Sequence, residues 1–266
     1  MALTRDDLLA TVELSPQAAG AHDRQGWVGL FAAGGEVEDP VGSRPHRGPA
    51  EISRFYDTFI APRDITFHRD VDVVAGSTVI RDLELEVAMS PSVTMRIPAY
   101  LRYTVTADPA GPRVDQLQAY WELPAMIGQF ARAGLGAVPV GLRLTGALLR
   151  NQGPAGAVGF AKGMAGAGRA GRRLVSGLLD DLCAGDTVAV QRRLNAETDI
   201  YSGDDIPLST SGLVERTSGA SWRKLIGSGH SLVAGLDRDG RRAVLIADLS
   251  SGPVAVVRLR YFADAA

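Results

Sequence analysis

The chain has 266 residues, 22% of them charged, with a net charge of −2 and a pI near 6.1, a balance that argues against a general nucleic-acid binder. Cys183 is the only cysteine, which excludes an intrachain disulfide framework and any multi-cysteine metal site. No uncharged apolar run reaches the roughly 18 residues of a membrane span, and Arg5, Asp6 and Asp7 stand where a signal peptide needs an apolar core, so the expectation is a cytoplasmic protein.

Leu8, Leu9 and Val12 recur at helical spacing and predict a helix over residues 3–14, with Pro16 in or near its boundary. Residues 18–31 read as a second helix with Trp27, Leu30 and Phe31 on its apolar side, ended by Gly34-Gly35. A short strand at residues 36–40 leads into a loop punctuated by Gly, Ser and Pro. Ile52, Phe55, Tyr56 and Phe59 predict a third helix over residues 49–60. Partly alternating runs at 65–74, 77–89, 94–106 and 113–123 predict four strands, with Ala75-Gly76 and Asp108-Pro109-Ala110-Gly111 as turns. Helices followed by a meander of strands make an α+β layout, in which the helices cover one face of a curved antiparallel sheet and leave a pocket between.

From Leu123 to Leu179 the chain has no Asp or Glu, but holds six arginines and Lys162, and is rich in Gly and Ala. This basic stretch divides the chain into a domain at residues 1–123, a helical connector at 124–172 and a domain at 173–266. Arg132, Arg143 and Arg150 fall within about 20° of one line on a helix, beside an apolar stripe of Leu135, Val138, Leu142 and Leu149, and Pro139 would kink that helix. Such a helix can pack across the acidic remainder of the chain or lie on an anionic membrane surface. The first is the preferred expectation; the second would make the protein peripheral to the membrane.

Beyond the connector, residues 174–182 read as a helix, and Asp186 opens another that runs to Leu194. Asp186 lies 163 residues after Asp23, and Leu194 lies 163 after Phe31. Strand-like runs follow at 212–216, 221–228, 231–236, 243–249 and 254–262, with Asp237-Arg238-Asp239-Gly240 as a hairpin turn. The second half therefore reads as a diverged repeat of the first with a shortened helical part. At that offset Asp39 corresponds to Ser202, so the carboxylate is not repeated. Asp204 and Asp205 lie close by, with no surrounding signature.

The segment Val37-Glu38-Asp39-Pro40-Val41-Gly42-Ser43, followed by Pro45, Gly48, Ile52 and Phe55-Tyr56, together with Ala119-Tyr120-Trp121 near the end of the sheet, resembles the ketosteroid isomerase signature within the NTF2-like (SnoaL-like) superfamily. The resemblance spans residues of about 5–123. It implies an NTF2-like cone, twice in tandem by the repeat above, and paired sheets either within one molecule or in a homodimer. The superfamily includes isomerases, dehydratases, cyclases, epoxide hydrolases and members that only bind ligands, so fold alone does not settle chemistry.

The resemblance implies a carboxylate base on a steroid-like ketone and hydrogen-bond donors to the enolate, with no cofactor. The base maps onto Asp39. Burial among apolar groups would raise its basicity. The family's oxyanion tyrosine falls on Ser15, and no tyrosine precedes Tyr56. Its protonated acid falls on a strand without an acid, nearest to Leu101 or Tyr103. Tyr56, which matches a supporting tyrosine, and Tyr103 are the candidate replacement donors, while Phe31, Leu101 and Trp121 are candidate lining. Ordinary core packing is the alternative for each aromatic residue. His46 reads as a solvated loop histidine, Cys183 as a buried structural thiol, and His22, His68 and His230 have no partners at metal-ligand spacing. Two other functions stay open: a non-catalytic steroid or lipid binder, and a membrane-associated module dominated by the connector.

Overall fold

A computed structural model describes residues 3–90, 93–132 and 166–264. Helix α1 (Arg5–Gly20) starts with a capping box: Asp7 N donates to the Thr4 hydroxyl, and Thr4 N donates to the Asp7 carboxylate. The helix runs through Pro16 and six residues past the predicted end. An internal proline costs a helix about 3 kcal/mol; here Leu8, Val12, Ser15 and Ala19 bury one face of α1 along its length, and that packing offsets the loss.

The predicted second helix is shorter than expected. Asp23 caps α2 (Arg24–Gly29) by accepting from Gly26 N at 2.8 Å. The chain then enters strand β1 (Phe31–Glu38), so Gly34-Gly35 lies inside a strand and does not terminate a helix. The two glycines fall where the register of β1 shifts, and a Cβ on Gly35 would meet the Ala32 carbonyl at 2.9 Å, so the bulge needs glycine there. Strand β2 (His46–Arg47), helix α3 (Gly48–Phe55) with a π-helical turn at Tyr56–Ile60, and strands β3 (Asp64–Ala75), β4 (Thr78–Ser90), β5 (Val93–Asp108) and β6 (Gly111–Tyr120) complete the first unit. The predicted last strand ends at Tyr120, and Leu123 opens helix α4 (Leu123–Arg132).

The second half contains α5 (Gly168–Ala184), α6 (Thr187–Arg193), β7 (Asp199–Ser202), β8 (Ile206–Pro207), α7 (Thr210–Thr217), β9 (Ser221–Ser228), β10 (Ser231–Arg238), β11 (Arg241–Leu249) and β12 (Val256–Ala263). The element order repeats that of α1 to β6 except for the π-helical turn after α3, which has no counterpart among the described residues of the second half. The segment expected as a strand at 212–216 is helix α7, capped by the Ser209 hydroxyl on Gly212 N; Leu213, Val214 and Thr217 recur at helical spacing and are buried. The 163-residue offset has a physical counterpart. Asp186 caps α6 from φ −84°, ψ 86°, and Asp23 caps α2 from φ −82°, ψ 88°. The Asp239-Gly240 turn has φ 53° and 79°, the positive pair that a two-residue hairpin loop requires.

The strand orders are β2-β1-β6-β5-β4-β3 and β8-β7-β12-β11-β10-β9. Each sheet is mixed, because β1 pairs in parallel with β6 and β7 with β12, while the remaining pairs are antiparallel. Both are α+β NTF2-like arrangements of a curved sheet packed by helices. Alternation sorts each strand's side chains. On β5, Leu101, Tyr103 and Val105 face the helices, and Tyr100 faces the other sheet.

The two sheets pack on each other within the chain. Ile80, Tyr100 and Tyr120 of the first share a buried cluster with Val233, Ile246 and Phe262 of the second. Lys224 sits at φ 52° on β9; its ammonium donates to Asp82 and to the Leu83 and Ala99 carbonyls at 2.6 and 3.0 Å, and lies 4.7 Å from the Tyr100 ring centre. Arg102 pairs with Asp204 at 2.6 Å. At one corner Gly42 (φ 92°) meets Gly229 (φ 56°), and a Cβ on either would come within 2.6–2.8 Å of the other's Cα.

Candidate active site

Asp39 lies immediately after β1, the strand that β6 holds in place through Val37, opposite Leu117, and Glu38, opposite Gln118. Trp121, one residue beyond β6, returns to the same point and donates from Nε1 to Asp39 Oδ1 at 2.6 Å. Two adjacent strands thus fix the carboxylate from both sides. Asp39 keeps part of its surface accessible, yet burial raises its pKa from 3.8 to about 6, against the opposing pull of the Trp121 hydrogen bond.

Tyr103 is buried on β5, and its hydroxyl donates to Ser15 Oγ on α1 at 3.4 Å. These two positions are 88 residues apart, and the helix laid over the sheet brings them together. Burial pushes the Tyr103 phenol up to about 12, so it stays protonated and able to donate at neutral pH. The charge of Asp39 acts on that hydroxyl, as does that of Arg81.

Leu101, Phe31 and Trp121 are buried in the same core as Tyr103. Phe31 packs on Trp27 with ring centres 5.0 Å apart. Tyr56 is also buried there, with its ring 5.6 Å from that of Trp27. Its hydroxyl has no hydrogen-bond partner among the described residues, and the charges that act on it are Asp23, Asp57 and Arg24. His46 lies on edge strand β2 with its ring 5.2 Å from that of Phe55, and burial lowers its pKa; it is half-buried against the core rather than loose in a loop. Cys183 is half-buried against the second core, and burial raises its thiol pKa. Among the described residues no group of three or more His, Cys, Asp or Glu could hold a metal ion, and no helix is long and apolar enough to cross a membrane. Arg143, Arg150 and the apolar stripe beside them lie outside the described residues, and of Arg132 only the backbone, at the end of α4, lies within them.

Sequence reasoning missed the buried charge beside this site. Arg81 is 2% exposed and donates to Asp72 at 2.8 and 2.9 Å and to Glu13 on α1 at 2.8 Å. Those carboxylates hold its pKa above the ordinary arginine value despite desolvation. The available signal was its place between Val79 and Leu83, which puts a charge on the inward side of a strand. An arginine there needs buried acids, and Asp72 on the neighbouring strand provides one.

Residues 8–127 match the Nuclear transport factor 2 (NTF2) domain. Among solved structures, the chain is similar to a Δ5-3-ketosteroid isomerase from Mycobacterium sp. (28% identity, 45% of this chain and 96% of that one, TM-score 0.41). It is similar to RV0760c from Mycobacterium tuberculosis in complex with estradiol-17beta-hemisuccinate (24% identity, 44% and 95%, TM-score 0.40). It is also similar to an LEH-like epoxide hydrolase from M. tuberculosis (16% identity, 51% and 96%, TM-score 0.42). The NTF2 domain match at residues 8–127 covers the first sheet, and a second sheet of the same strand order follows it.

Proposed function

We propose that the first unit moves a proton on a hydrophobic, steroid-like ketone, with Asp39 as the base. The observation that carries this reading is the Asp39 carboxyl, held by Trp121, raised to about 6 and left partly accessible. At neutral pH such a group is mostly ionised and close to the most effective range for a general base. The Asp39 carboxylate takes a proton from the carbon next to the ketone, and the negative charge moves to the ketone oxygen. Tyr103 and Ser15, whose hydroxyls meet over the sheet, are the donors toward that oxygen, in place of the tyrosine and acid of the resembled signature. Protonated Asp39 then returns the proton to a different carbon. Phe31, Leu101, Tyr56 and Trp121 form the apolar wall, and the chain's own residues complete the proton cycle without a cofactor.

A β,γ-unsaturated ketosteroid is the first substrate to test, because its conversion to the conjugated enone raises the absorbance. Turnover should appear, and Asp39→Asn should lower it by on the order of 100- to 10,000-fold. Turnover that survives this substitution overturns the assignment of the base. The second reading, a steroid or lipid binder without catalysis, is favoured by the absence of an acid near Leu101 and Tyr103 on β5, whose one acid, Asp108, is the last residue of the strand. It predicts a ligand-dependent rise in melting temperature without turnover.

A further inference from the structure

The second unit repeats the fold of the first and reverses the charge of its polar corner. The 163-residue offset puts Ser202, the last residue of β7, at the place of Asp39. Helix α7, which takes the place of α3, supplies Arg216, and its guanidinium donates to Ser202 Oγ at 2.9 Å. Arg238, at the end of β10, donates to the Glu215 carbonyl at 3.2 Å. The charges of Arg216 and Arg238 both act on the hydroxyl of Tyr261, on β12.

These groups open onto a cleft of about 1860 Å³, whose other wall is the first sheet, through Arg102, Thr104 and Gln116. Seven arginines and five aspartates line the cleft, in a chain whose net charge is −2. Arg102, Arg242 and Arg260 are paired with carboxylates. Arg216 and Arg238 have no carboxylate partner among the described residues, and they donate to a hydroxyl and a carbonyl. On the opposite wall, Arg102 Nε and Thr104 Oγ1 are buried with no partner among the described residues. Arginine's planar fork of N–H donors matches the oxygens of phosphate and carboxylate groups. Two such forks beside a phenol, in a concave wall of positive excess, make a site for an anion.

We propose that this cleft binds a small molecule carrying a phosphate or carboxylate group, with Arg216, Arg238 and the Tyr261 hydroxyl as its contacts. The site is separate from that of Asp39, so the chain holds one place for an uncharged apolar molecule and another for an anion.

Titration calorimetry of the full chain at low salt, with pyrophosphate and with citrate as probes, tests this. At least one should bind saturably, and added salt should weaken it as charge screening requires. The double variant Arg216→Gln, Arg238→Gln should lower the affinity by about tenfold or more, with an unchanged melting temperature because both side chains are exposed. Arg192→Gln, an exposed arginine on α6 outside the cleft, should bind as the parent does. Asp39→Asn should also leave anion binding intact, which separates this result from the proton-transfer reading. No saturable binding of either probe overturns the proposal, as does an equal loss in Arg192→Gln. Binding only to anionic vesicles, and to neither free anion, overturns it in favour of a membrane-surface role.

Discussion

The two halves share element order, strand order and even the backbone angles of an aspartate cap, yet their polar corners differ in kind. At one corner of the first unit stand Asp39, Trp121, Tyr103 and Ser15, an acid and donors against an apolar core. At the related corner of the second stand Ser202 and Arg216, with Arg238 and Tyr261 nearby. The scaffold sets where a polar group can stand, and a few side chains set which charge the corner will accept. Fold and chemistry are separable here inside one chain.

The comparison breaks most visibly if the halves are not held together as the packing indicates. Phe262 is fully buried between the sheets, and Phe262→Ala should cost about 3–5 kcal/mol. Denaturant unfolding should then separate into two transitions or shift as a whole; an unshifted single transition would mean that the interface contributes little. Tyr103→Phe tests the donor side of the first corner. It should slow turnover on the order of 100- to 1000-fold and leave the anion affinity of the second unit unchanged. A rate within a few-fold of the parent would remove Tyr103 from the oxyanion role.

Asp39 also carries a stability signature. Its folded pKa, about 6, lies above the ordinary carboxylate value of 3.8, so the folded state holds the proton more tightly than the unfolded one. That contribution is fully present below about pH 4 and is lost as pH rises through about 6. Asp39→Asn should therefore be more stable than the parent at pH 7, by up to about 3 kcal/mol, with the gain fading toward pH 4. Urea melts at the two pH values decide this, and equal stability at pH 7 would show the carboxyl to be better solvated than its surroundings suggest. Turnover should follow the same titration, rising with pH through about 6 and levelling above it.

The smallest effect sharpens the likeness instead of the difference. Asp23→Ala and Asp186→Ala each remove a cap of the same geometry, and each should cost about 0.5–2 kcal/mol. Thermal melts that give clearly unequal losses would show the two corners to be alike in backbone only.

Residue spacing by itself determined much of this protein. Side-chain period marked the third helix, the four-strand meander and the last four strands, because a face that must be buried repeats at the pitch of its element. The Asp239-Gly240 hairpin and the helix start at Asp186 were legible for the same local reason: a turn or a helix start needs particular side chains within a few residues. The 163-residue echo exposed the repeat. Tertiary structure alone decided where local preference was overruled. Packing along α1 carries a helix through Pro16, parallel pairing with β6 turns residues 31–38 into a strand despite two glycines, and burial of Leu213, Val214 and Thr217 makes a helix of a segment that reads as extended. The meeting of Ser15 with Tyr103, of Trp121 with Asp39 and of Lys224 with Asp82 spans 82 to 142 residues. No local pattern encodes such pairs, since they form only when whole sheets and helices close over one another.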